Sequence, residues 1–200
     1  REVKSAFSEA FARAIREPHG DDVRRSKRYV RLVSDAAFER VSSYIGEGRV
    51  LFGGNTVAEE RYIEPTLIDN VALDSKVMTT EIFGPVLPLI AIAEMEEAIR
   101  FINEREKPLA LYVFAEKERA LNVIRHTSSG GACINDTIMH IANENLPFGG
   151  VGNSGMGRYH GRDSLYSFSH RRSVLMTTTW LDLPFRYMPY KWFKLAKRLL

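Results

Sequence analysis

One cysteine, Cys133, stands in 200 residues. That excludes an internal disulfide framework and fits a reducing compartment. No apolar run is long enough to span a bilayer, and no stretch reads as a signal peptide. Internal repeats and low-complexity tracts are missing too. The five histidines lack metal-ligand patterning: His160 and His170 have neither i, i+4 spacing nor carboxylate partners, so no metal is expected. An initiating methionine is also missing. Arg1 opens the sequence inside a helical pattern (Val3, Phe7, Phe11, Ala14, Ile15) with no capping residue ahead, as expected of a fragment.

A basic excess over the whole surface is lacking as well. The net charge is +3, from 28 basic and 25 acidic residues. Five of the basic residues (Arg186, Lys191, Lys194, Lys197, Arg198) lie between Arg186 and Leu200, with no acidic one among them. Residues 1–185 therefore hold 23 basic against 25 acidic residues, a net of −2. Such a body carries no nucleic-acid footprint.

What is present is an ordinary globular composition with alternating elements. Glu17-Pro-His-Gly20 reads as a turn, and Ser34-Asp35 as the cap of a helix through Phe38, Val41 and Ile45. Arg49–Phe52 is a short strand ending at Gly53-Gly54. Tyr62–Ile68 is strand-like but broken by Pro65, which suits a sheet edge or the start of a loop. Val86–Ile92 reads as a strand, and Glu94–Asn103 as a helix with Met95, Ala98, Ile99 and Ile102 inward. Pro108–Phe114 has the apolar continuity of a strand buried on both faces. A helix over Lys117–His126 and a buried strand over Ala132–Asn135 follow. The alternation predicts an α/β domain, a parallel-rich sheet with flanking helices.

The run Pro147–Gly157 holds five glycines and a formal G-x-G-x-x-G, Gly150–Gly155. A phosphate loop needs a buried strand before it and a carboxylate about 20 residues after it. Polar, proline-broken Asn143–Phe148 precedes the run, and Val174, Leu175 and Met176 stand where the carboxylate belongs. Context excludes the phosphate loop. In Glu81-Ile-Phe-Gly-Pro-Val86, a carboxylate and an aromatic two residues apart would share one side of an extended chain. A carboxylate accepts both hydroxyls of a ribose and an aromatic face stacks on a heterocycle. A surface glutamate beside a core phenylalanine is the plainer alternative.

Taken in series, four segments resemble the C-terminal part of an aldehyde dehydrogenase: Glu81–Val86, Lys107–Phe114, Ser129–Asp136 and Leu146–Gly157. Tyr159–Arg171 is most similar to the class 3, fatty-aldehyde branch, and the resemblance runs from Arg1 to about Leu175. It implies an N-terminally truncated catalytic domain over residues 1–175 and a tail over 176–200. The family oxidises aldehydes, here of medium or long chain, to carboxylic acids with NAD or NADP through a cysteine thiohemiacetal.

By resemblance Glu81 holds the nicotinamide-side ribose, Phe83 packs beside the nicotinamide, and Leu109 touches the ring. Phe148 lines the aldehyde tunnel. His140 stands at the tunnel mouth or is a loop histidine bonded to backbone. Asn135 matches a buried polar residue that ties the active-site loops, and Gly149 and Gly150 let backbone pass close to the reaction centre.

No catalytic residue is matched in this chain. In the family the nucleophilic cysteine, the general-base glutamate, the oxyanion asparagine and the dinucleotide domain all lie upstream. Cys133 follows Glu81, whereas the nucleophile precedes that glutamate, and it sits in an apolar strand pattern; a packed core thiol is expected. The fragment alone is expected to be inactive. The competing reading is a non-catalytic aldehyde-dehydrogenase-like module for association or membrane attachment.

Over Lys191–Leu200 the basic residues gather on one helical face, and Trp192, Phe193, Leu195, Ala196, Leu199 and Leu200 fill the other. Such a segment lies in a membrane interface, or packs on its own subunit or a dimer partner. The expected partners are thus a small-molecule aldehyde, a second copy of the chain and a membrane surface reached through the tail. The expected location is cytoplasmic with that membrane association.

Overall fold

The structure, a computed structural model, describes residues 3–180, 187–189, 194, 197 and 198. Most of the amphipathic tail expected over residues 191–200 lies outside the described residues. The chain divides into two units, Arg1–Arg105 and Glu106–Leu200.

In the first unit helix α1 spans Lys4–His19. The expected turn at Glu17–Gly20 is instead its last turn, running through Pro18. A proline there forfeits only one backbone bond near the helix end, and Gly20 (φ 77°) closes the helix by donating to the Arg16 carbonyl at 2.7 Å. Helix α2, Asp35–Ser43, starts where expected: the Ser34 hydroxyl accepts from the Ala37 amide at 3.2 Å.

Four strands follow: β1 (Arg49–Phe52), β2 (Thr56–Val57), β3 (Tyr62–Ile63) and β4 (Thr66–Asp69). Short helix α3 (Lys76–Thr79), strand β5 (Val86–Leu89) and helix α4 (Met95–Asn103) complete the unit. One sheet has the order β1-β4-β5, antiparallel between β1 and β4 and parallel between β4 and β5. Strands β2 and β3 form a separate antiparallel pair. Pro65 separates β3 from β4 without entering either ladder, and β4 is the central strand rather than an edge.

All four β4 residues are buried: Ile68 shares the core with Val41 of α2, while the Asp69 carboxylate meets Lys4 of α1. Val41, Tyr44, Ile63, Ile68, Val71, Val77 and Val86 form the core, with Leu32, Phe38 and Ile82 packed against it. Each fully buried aliphatic side chain contributes about 1.5–3 kcal/mol relative to exposure. In α4 the expected inward residues Met95, Ala98, Ile99 and Ile102 are half-buried.

In the second unit strands β6 (Ala110–Val113) and β7 (Gly131–Ile134) pair in parallel, joined through helix α5 (Lys117–His126). This is a βαβ connection. Ala120 and Val123 of α5 and Val113 of β6 are buried. Two further helices follow, α6 (Met139–Ala142) and α7 (Gly161–Ser167). The β6 run is not buried on both faces as its apolarity implies: Leu109, Tyr112 and Phe114 stay exposed. Among the described residues β7 is its only strand neighbour, so the ladder leaves one edge and much of one face uncovered. No helix of the described residues is long and apolar enough to cross a membrane.

Candidate cofactor and substrate surfaces

In the first unit the chain between α3 and β5 carries Glu81 and Phe83. It is not an extended strand. Phe83 has φ 42°, a left-handed backbone that only a few per cent of residues other than glycine adopt. The alternation that would set Glu81 and Phe83 on one side of an extended chain therefore does not apply. What brings them to the surface together is this turn: Glu81 is exposed, and so is the Phe83 side chain at 74%.

Phe83 lines a predominantly apolar groove of about 640 Å³ with Tyr29, Val30, Leu32, Val33 and Pro85. Burial pushes the Tyr29 hydroxyl well above the usual phenol range, and that hydroxyl donates to the Ile63 carbonyl at 2.7 Å. The Tyr29 side of the groove is thus neutral and held in place, while Arg31 and Arg40 bring positive charge to the lining. A flat heterocycle fits the exposed ring, and a vicinal diol fits the neighbouring carboxylate.

Helix α2 seats this segment from beneath. Arg40 Nη1 donates to the Glu81 carbonyl at 3.2 Å. A Cβ on Gly84 would stand 2.6 Å from Val41 Cγ1, and Val41 is fully buried. Neither Arg40 nor Val41 was legible as a site residue, because each acts on backbone some 40 residues away. The Gly84-Pro85 pair signalled only a turn.

In the second unit the glycine run closes on itself. Phe148 and Tyr159 exchange backbone hydrogen bonds at 2.9 and 3.0 Å, an isolated antiparallel bridge. A Cβ on Gly149 would lie 2.2 Å from the Gly157 carbonyl oxygen, and one on Gly150 would lie 2.1 Å from that of Ser154. Gly130 is a third such crossing, with room for no side chain between the carbonyl oxygens of Gly149 and Leu109. Leu109, Gly149 and Gly150 are thereby brought together around Gly130, a residue the sequence pattern did not single out.

The half-buried Phe148 ring packs edge-on to Tyr159 at 5.6 Å and beside His140 at 5.7 Å. His140 is neither at an open mouth nor bonded to backbone. It is 8% exposed, in α6, wedged over Gly131 with Tyr112 at 5.8 Å. Its Nδ1 lies 3.5 Å from Cys133 Sγ, while its Nε2 and the Nδ1 of His160 have no hydrogen-bond partner among the described residues. Cys133 is half-buried rather than packed deep in a core.

Asn135 is exposed, not buried, yet it does tie backbone together. Its amide accepts from the Ala115 N–H at 2.9 Å and donates to the Ala115 carbonyl at 3.0 Å. Its φ of 56° is one that asparagine tolerates better than most residues. Among the described residues no group of three or more His, Cys, Asp or Glu side chains could hold a metal ion.

Comparison with known proteins bears on this geometry. The model of the aldehyde dehydrogenase family matches residues 1–174. The chain is 45% identical over 192 residues to the 4,4'-diaponeurosporen-aldehyde dehydrogenase of Staphylococcus aureus, covering 94% of this chain and 42% of that protein. It is 47% identical over 175 residues to the dimeric NADP-preferring aldehyde dehydrogenase of Rattus norvegicus, covering 87% and 39%. A substrate-bound state of Staphylococcus aureus AldH superposes with a TM-score of 0.83 at 43% identity, over 100% of this chain and 44% of that one. The chain spans about two fifths of the length of these relatives.

Proposed function

Because the chain belongs to the aldehyde dehydrogenase family, we propose that it supplies the cofactor-ribose carboxylate and an aldehyde-facing wall of an NAD(P)+-dependent oxidation of aldehydes to carboxylic acids. The observation that carries this reading is Phe83, exposed at φ 42° on a largely apolar groove, two residues along the chain from the exposed Glu81.

Glu81 accepts the two ribose hydroxyls, and Phe83 offers its face to the nicotinamide. When bound, that cofactor accepts hydride from the aldehyde carbon. Leu109 is a lesser contact of the nicotinamide; Phe148, braced by Tyr159 and His140, stands against the aldehyde, while Gly149 and Gly150 keep the loop close. The nucleophile and the general base are assigned to no residue of this chain. The names of the two relatives support an apolar aldehyde, NADP as well as NAD, and a second copy of the chain as partner. A cytoplasmic location and a membrane role for residues 186–200 rest on sequence pattern alone.

The test is calorimetric titration of NAD+ and NADP+ into the native gene product and its Glu81→Gln and Phe83→Ala variants. Both variants should weaken binding by about tenfold or more, the size of one or two lost polar or stacking contacts. Unchanged affinity in both would remove Glu81 and Phe83 from the cofactor surface.

A further inference from the structure

We propose that Arg40 is a positioning residue for the cofactor carboxylate, acting through the backbone of Glu81; the proposal rests on the reading of Glu81 given above. Arg40 sits on α2, one residue before the fully buried Val41 and one turn before Tyr44, which is 2% exposed. Its Nη1 donates to the Tyr44 hydroxyl at 3.2 Å and to the Glu81 carbonyl at 3.2 Å. The guanidinium carbon stands 5.7 Å from the Tyr44 ring centroid. A core residue that cannot move thus holds the guanidinium, and the guanidinium holds the carbonyl.

Three residues on, Gly84 rests against Val41 with no room for a Cβ. The segment that carries Glu81 and Phe83 is pinned at both ends by adjacent residues of one helix, with the left-handed Phe83 between the pins. A carboxylate that receives both hydroxyls of a ribose must be held within a fraction of an ångström, and here the exposed side chain has only its backbone to hold it. Arg40 also lines the groove beside Phe83, but its hydrogen bonds go to the Tyr44 hydroxyl and the Glu81 carbonyl. Losing it frees the Glu81 carbonyl and lets the carboxylate wander, while the remaining surfaces stay in place.

Steady-state kinetics on the native gene product tests this with Arg40→Met, Arg40→Lys and Glu81→Gln, each with its thermal midpoint. The expected result for Arg40→Met is a rise of about tenfold in KM for NAD(P)+, the loss of one charge-assisted hydrogen bond. KM for the aldehyde should stay at its wild-type value, and the thermal midpoint should fall only slightly, from the lost Tyr44 contact. Arg40→Lys, which keeps a cationic donor, should lie closer to wild type than Arg40→Met. Arg40→Met leaving cofactor KM unchanged while Glu81→Gln raises it would overturn the positioning role alone. A parallel rise in both KM values with a strongly lowered midpoint would overturn it too, since that is general destabilisation. Should Glu81→Gln itself leave cofactor KM unchanged, the reading of Glu81 falls and this proposal with it.

Discussion

Arg49 and Asp69 face each other across β1 and β4, and Arg49 grips the buried carboxylate with both Nε at 2.9 Å and Nη2 at 2.8 Å. Lys4 of α1 reaches the same carboxylate, so one acidic side chain fastens the first helix and the edge strand to the centre of the sheet.

Acid should loosen this fastening. The Arg49 hydrogen bonds draw the Asp69 carboxyl down to about 2; burial works against them, and Lys4 adds to the lowering. The folded value lies below the unfolded one of about 3.9. The pair's contribution is therefore complete above pH 4 and is lost as pH falls from about 4 to about 2. Asp69→Asn should cost about 1–3 kcal/mol at neutral pH. It should also flatten the acid limb of a plot of urea midpoint against pH; a limb as steep as wild type would contradict the assignment.

Ser34→Ala removes the oxygen that satisfies the Ala37 amide, and should destabilise the protein by about 1 kcal/mol. Differential scanning calorimetry would read this as a lower midpoint, and Ser34→Asp should keep most of the stability.

Gly150→Ala puts a methyl group 2.1 Å from the Ser154 carbonyl oxygen, a backbone atom that cannot rotate away. The expected outcome is a loss of about 1–3 kcal/mol, as overpacking brings. Gly157→Ala is the control. It meets nothing within 4 Å, so any cost there comes from its φ of 78° alone and should be the smaller of the two.

A polypeptide of these 200 residues should form no reduced nicotinamide from an aldehyde, and in the native gene product Cys133→Ala should leave turnover in place. Measuring both is informative because Cys133 stands 3.5 Å from His140 Nδ1, a pairing that could be mistaken for a catalytic dyad. Turnover abolished by Cys133→Ser in either protein would make that dyad real.

The sequence pattern reached the local elements well. Lys117–His126 was delimited to the residue, and Ser34 was found as a cap, because apolar periodicity and capping chemistry are properties of neighbours in the chain. Pro18 misled, since a proline in a last turn looks like one that forbids the turn. Apolar continuity of β6 overstated its burial, because periodicity reports which residues tolerate burial and not what covers them. Glu81 and Phe83 were named through resemblance and paired through an extended geometry that Phe83 does not have. Arg40 had no signature at all: a bond to a backbone carbonyl 41 positions away asks nothing of the residue type that provides the carbonyl.

Glycine enrichment is usually taken as a measure of freedom. In the run from Phe148 to Tyr159 it measures the opposite, since Gly149 and Gly150 are each required by a backbone oxygen that leaves no space for a carbon, and the ends are tied by a pair of backbone hydrogen bonds. The consequence is dynamic. Amide order parameters through this stretch should match those of β6 and β7, and a group resting against Phe148 meets a wall that does not yield on the nanosecond scale.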